Sequence, residues 1–339
     1  MDNILSKSFN WLRFPLAVMV VFLHIDAMPS ICVLDFDWLQ NVECSIYYSV
    51  VIGTMVLSGL AVPTFFFMSG YLLFCKPVSC GIDGYKQTIK KKMVSLILPY
   101  VVWNAFAIGY LWITESKTSF TFYEMWVSPA NFPLWFLRDL IVLFFFYPLI
   151  RLLICKGRQV GMVILVCFYL SGLVGSIYFF QFVSIMFFSL GGFLGNLKWI
   201  PQIQNRNQII KILVAFGLIF IATFLTFGSP IYPFVSRLYL LLGVFVLLYG
   251  CYYAMANFHW KVFPLLGSAS FMVYVFHKLG PTFLAKYPFT LLGEQTYFLR
   301  TAKFILATWL AVGICVLFYY ILKTYCPLLL FMLTGRKKS

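Results

Sequence analysis

Ten windows of about twenty apolar residues recur along the chain, at 9–28, 47–74, 94–113, 134–152, 160–178, 181–196, 209–227, 235–256, 263–284 and 302–325. Twenty residues of α-helix rise ~30 Å, the thickness of a bilayer's hydrocarbon core. The runs are continuously apolar rather than alternating, which selects helices over barrel strands. Composition removes the soluble alternative. Only 10% of the 339 residues are charged and 62% are hydrophobic, whereas a soluble domain carries about a quarter charged residues. With no polar stretch long enough for a soluble domain, residues 1–339 read as a single membrane-embedded unit. The fold class is all-α, a polytopic bundle of about ten transmembrane helices. The first apolar run lacks a small-residue cleavage site and reads as a retained helix rather than a signal peptide. Pro63, inside the overlong second window, predicts a break or kink.

Orientation follows from the basic residues. With the N-terminus inside, the cytoplasmic segments hold seventeen of the 25 Lys and Arg, the external segments five, and the spans the remaining three. That asymmetry places both termini in the cytoplasm. The net charge of +15 is then a matter of membrane orientation. Membrane lipid is the expected partner, and nucleic acid is not. The nine cysteines lack C-x-x-C metal or redox spacing, and no metal is expected. Cys32 and Cys44 share one polar loop, a placement that permits a disulfide if the loop lies outside.

Ionisable groups within a span cost at least ~2.5 kcal/mol each and mark cavities, partners or function. Here they are Arg13, His24, Arg138, Asp139, His277 and Lys278. Arg13 and His24 are eleven residues apart, so they share a helical face and lie about 16 Å apart along the axis. They can hold two ends of a long ligand. Arg13 also reads as an arginine snorkelling to the inner interface, and His24 as an interfacial or helix-bonding histidine. Ser270, Tyr274 and His277 form a second polar stripe at offsets of four and three, which argues for a polar cavity or for interhelical hydrogen bonds. In Pro133–Asp139, Trp135 fits the interfacial aromatic belt. Arg138 and Asp139 point roughly 100° apart on a helix, which predicts a separate partner for each. The Pro63–Gly70 segment reads as a kink with close helix packing or as part of a site.

Five motifs in order resemble acyltransferase family 3, the integral membrane O-acyltransferases. They are Arg13-x10-His24, F-F-F-M-S-G at 65–70, the basic run before Leu98-Pro99-Tyr100, L-W-F-L at 134–137, and L-G-S-A-S-F-M-V-Y-V-F-H at 266–277. The resemblance implies a bacterial inner-membrane enzyme that moves an acyl group, most often acetyl, from acyl-CoA to a hydroxyl of a sugar or lipid-linked glycan. It implies that Arg13 and His24 are essential for transfer, and that Ser270, Tyr274 and His277 match a family element. The chain departs from the family at Ala61, Val62 and Pro63, where glycines are common, and at Lys90, Lys91 and Lys92, where arginines are.

On this reading Lys90, Lys91, Lys92 and Arg13 hold the donor's phosphates and His24 is the general base. Tyr274, Ser270 or Arg138 stabilises the oxyanion. Arg138, Asp139, His277 and Trp135 face the glycan acceptor. Direct transfer and an acyl-histidine intermediate both remain open. So does the oligomeric state, a homo-oligomer included. The competing class is a transporter or exporter of a lipid-linked glycan, which ten helices and a Pro-kinked span also suit. No inverted repeat is visible, and the acidic residues expected of a proton relay are nearly absent from the spans, with Asp139 deep in one and Asp26 at the outer end of another.

Overall fold

The structure is a computed structural model. It describes residues 3–75, 82–114, 119–173, 175–177, 180–201, 206–258, 260–261, 263–292 and 296–335; along 82–94, 124–125, 176–177 and 206 only the backbone is described.

Among the described residues the regular structure is helical apart from one antiparallel pair of two-residue strands. In order it forms α1 (Asn3–Ile25), α2 (Val42–Ser58), α3 (Ala61–Phe74), α4 (Ile82–Ile113), α5 (Phe122–Trp126), α6 (Trp135–Phe145), α7 (Tyr147–Leu152) and α8 (Arg158–Ser171). The antiparallel pair β1 (Ser176–Ile177) and β2 (Phe180–Gln181) precedes α9 (Phe182–Asn196) and α10 (Arg206–Leu225). Then come α11 (Tyr232–Asn257), α12 (Pro264–Phe276), α13 (Pro281–Thr290), α14 (Tyr297–Tyr325) and α15 (Pro327–Thr334).

Among the described residues, seven helical runs are long and apolar enough to cross a membrane, where the sequence windows predict ten. The difference lies in three windows whose helices are short: α6 has 11 residues, α9 has 15 and α12 has 13. Each is interrupted by local chemistry. Pro148 starts a new helix after α6, the hairpin precedes α9, and a 3-10 turn over His277–Leu279 ends α12 before Gly280. These short helices sit inside the bundle, where irregular backbone at membrane depth is sheltered by protein. Of the long runs, α10 is the least enclosed. On α10, Leu213, Leu218 and Ile221 are exposed, a lipid-facing apolar surface and a mark of a multi-pass membrane protein.

Breaks expected from sequence fall where backbone geometry allows. The long second window divides at Gly59–Leu60, and Pro63 lies in the first turn of α3, where its missing N–H is not needed. At Gly157–Arg158 the chain doubles back, with Arg158 at φ 46°. A Cβ on Gly161 would lie 3.6 Å from the carbonyl oxygen of Leu153, whereas eight residues of straight helix would separate them by ~12 Å.

The centre is a close packing of α3 against α9. Gly70 lies on the backbone of Phe188, and Gly191 on that of Phe67. A Cβ on Gly195 would meet the carbonyl oxygen of Tyr71 at 2.6 Å. In lipid, hydrophobicity does not drive helices together, and small residues that admit close backbone approach do. Helix α1 runs beside α3 and carries α12 against it, and α15 folds back so that Trp103 of α4 donates to the Leu333 carbonyl at 2.9 Å. Cys32 and Cys44 are free thiols, so the loop carries no bridge between them.

Candidate functional site

Two cavities lie end to end along α1. The first, about 400 Å³, is lined by Arg13, Ser69, Ser95, Ser270 and Thr334 together with apolar side chains. The second, about 490 Å³, is lined by His24, Trp135, Arg138 and Gln181, with Phe132 and Pro133. Phe136 and Tyr274 line both. Helix α1 therefore presents Arg13 to one chamber and His24 to the other, along the face that their spacing predicts.

His24 is half-buried, and its Nδ1 lies 2.8 Å from the Val20 carbonyl oxygen. A carbonyl only accepts, so Nδ1 carries the proton in this contact, and in the neutral imidazole Nε2 is the nitrogen with the lone pair. The imidazole is flanked by the rings of His277 at 5.2 Å and Phe132 at 5.7 Å between centroids.

His277 is fully buried, at the turn where α12 becomes a 3-10 helix. Its Nδ1 donates to the carbonyls of Val273 at 3.0 Å and Tyr274 at 2.9 Å. Its Nε2 has no hydrogen-bond partner among the described residues. His277 thus supports His24 from behind and does not line either cavity. The predicted stripe divides accordingly: Ser270 faces the Arg13 chamber, Tyr274 borders both, and His277 lies beyond them. The Ser270 hydroxyl donates to the Gly267 carbonyl at 2.8 Å, and the Tyr274 hydroxyl to that of Pro133.

Arg138 and Asp139 correct the sequence expectation of separate partners, because they pair with each other. Arg138 donates to Asp139 Oδ1 from Nε at 3.0 Å and from Nη2 at 2.8 Å. The long arginine stem spans the angle between neighbouring helical positions. The expectation was partly met by further bonds. Arg138 Nη1 donates to the Val127 carbonyl at 2.7 Å, while Asp139 Oδ2 accepts from Ser184 Oγ at 2.6 Å and the Gln181 amide at 3.2 Å. Asp139 is fully buried and Arg138 nearly so. Asp139 is therefore an anchor for the α6–α9 junction, and Arg138 the member that edges the His24 chamber. Trp135 lines this chamber too, rather than standing alone in an interfacial belt.

Lys90, Lys91 and Lys92 fall on α4, three to five residues before Ser95. Their side chains lie outside the described residues. Among the described residues no group of three or more His, Cys, Asp or Glu converges as a metal-holding set. Ser95 and Thr334 were not singled out from sequence, and Ser69 and Phe136 stood out only as members of the 65–70 and 134–137 motifs, with no role of their own. Hydroxyl residues in apolar helices carry no periodic signal of their own, and Phe136 is one of 39 phenylalanines.

The relative "Succinoglycan biosynthesis protein ExoH" of Rhizobium meliloti (strain 1021) is 27% identical over 248 residues, 64% of this chain and 64% of its own length. The chain is therefore matched to less than two thirds of that curated relative. No solved structure matches. The family model described as an acyltransferase domain matches residues 6–320, nearly the whole chain, and the chain belongs to this family, acyltransferase family 3.

Proposed function

We propose that the chain moves an acyl group, acetyl first among candidates, from cytosolic acyl-CoA to a hydroxyl of a cell-surface or lipid-linked glycan, in the bacterial inner membrane. One observation carries this reading: a single helix presents Arg13 to one chamber and His24 to the next. A donor whose charged end and reacting end lie far apart suits that arrangement. The phosphates of CoA would rest near Arg13 and the Lys90–Lys92 run, by charge. The pantetheine arm would pass along α1 and bring its thioester toward His24.

With Nδ1–H committed to Val20, the free Nε2 of His24 takes the acceptor hydroxyl proton as that oxygen attacks the thioester carbonyl. The new C–O bond forms, the C–S bond breaks, and the proton passes from His24 to the departing thiolate. Arg138 is the cation at the rim of this chamber, placed to favour the negative charge that develops on the carbonyl oxygen. A glycan acceptor is supported by the relative's role in succinoglycan biosynthesis, and by Trp135 and Gln181 in the chamber wall, an aromatic face and an amide of the kind that sugars meet.

The test is His24→Ala, measured in membranes that carry the full-length protein with labelled acetyl-CoA and the host's own glycan. General-base removal costs ~10²–10⁴-fold in rate, so label in the glycan should fall by at least that lower factor while the protein still inserts. Transfer at the wild-type rate would overturn the assignment of His24.

A further inference from the structure

Phe136 and Tyr274 are the only part of the described walls that the two chambers are seen to share. Their rings meet edge to face, 5.5 Å between centroids at 72°. Phe136 is held on its other side by Phe66 at 4.5 Å and Phe65 at 5.9 Å. The Tyr274 hydroxyl is fixed to the Pro133 carbonyl, so its ring is tethered at both ends. An aromatic septum thus stands between Arg13 and His24.

We propose that this septum is the selectivity element of the enzyme: Phe136 sets how long an acyl group can pass from the donor chamber to His24. The proposal rests on the donor-to-acceptor reading above and names the residue that limits its substrate. Tyr274 is held by a hydrogen bond, whereas Phe136 is held by ring contacts alone, which makes Phe136 the side chain that yields. A small acyl group needs a modest tilt of one ring. Each further methylene must displace more of the aromatic stack. The septum also keeps the thioester apart from the His24 chamber until the acyl group enters, so that the C–S bond is broken by the acceptor oxygen rather than by water.

The experiment compares wild type, Phe136→Ala and Phe136→Trp as full-length protein in membranes, with labelled acetyl-, butanoyl- and hexanoyl-CoA. Label in the glycan fraction is counted above the His24→Ala background. A hydrophobic pocket discriminates by ~10-fold or more per methylene, so Phe136→Ala should raise the hexanoyl-to-acetyl ratio by at least ~10-fold. Phe136→Trp should slow acetyl transfer and lower the hexanoyl-to-acetyl ratio below that of wild type. An unaltered chain-length profile in Phe136→Ala, at wild-type protein level, overturns the proposal.

If wild type shows no transfer above background, the donor-to-acceptor reading itself fails, and the septum is then judged separately. Ser69→Cys places a thiol in the Arg13 chamber. A membrane-impermeant maleimide added at the His24 side, read at residue 69 by mass spectrometry, should miss it when Phe136 is present and label it when Phe136 is Ala. Equal labelling in both overturns the septum.

Discussion

The Arg138–Asp139 pair shows what a buried charge requires in a medium without water. Asp139 is fully enclosed, and both of its oxygens are used, one by the guanidinium and the other by Ser184 and the Gln181 amide. Removing one member of a buried pair strands the other and costs ~3–5 kcal/mol, whereas replacing both by apolar residues of similar volume is often neutral. Asp139→Ala should therefore lower the thermal midpoint in detergent sharply. The double substitution Arg138→Leu with Asp139→Leu should recover most of that loss but not acyl transfer. A melting temperature untouched by Asp139→Ala would show that the pair is not structural. The sequence revealed that these two residues needed partners. It could not reveal that they needed each other, because helical angles describe where a Cβ points and not where a long flexible stem ends. The His24–His277 contact, with the two rings 5.2 Å apart, was not legible in the same way: both histidines stood out as ionisable groups within spans, but which helices would lie side by side depends on the whole packing.

At the level of helices, the informative contrast is between two glycines. Gly191 of α9 faces the backbone of Phe67 on α3, so an added methyl would strike main chain, which no rotamer can relieve. Gly109 of α4 has nothing within 4 Å of where its Cβ would be. Overpacking of this kind costs ~1–3 kcal/mol, while alanine in an open helical position gains roughly 0.5–1 kcal/mol. Gly191→Ala should lower the melting temperature and Gly109→Ala should hold or raise it, in the same detergent. Loss of stability in neither variant would remove the α3–α9 contact as the centre of the fold. The F-F-F-M-S-G segment is explained by the same geometry. Gly70 serves the packing, its neighbour Ser69 turns to the Arg13 chamber, and the segment thus has both of the roles left open by its sequence. Which of two adjacent residues took which role depended on where α9 lay, and no local pattern encodes that.

The whole chain poses the question of which chamber faces the cytosol. Arg13, ten residues into α1, and Thr334, the last residue of α15, line the same chamber. At the other end Asp26, just past α1, pairs with Lys286 of α13 at 2.8 Å, and Tyr47 of α2 meets Tyr297 at the start of α14. Arg13 and Thr334 thus share a chamber, and the expectation that both termini are cytoplasmic calls for an even number of crossings. The face expected to hold both ends is the one to which seventeen of the basic residues are assigned, against five for the other, and cytoplasmic loops are the basic ones. Green fluorescent protein fused after Ser339 should therefore fluoresce, and alkaline phosphatase at the same position should be inactive. A reporter placed ahead of Met1 should give the same answer. Two ends on opposite faces would break the even count, and two ends outside would send the Arg13 chamber away from cytosolic acyl-CoA and end the donor assignment with it.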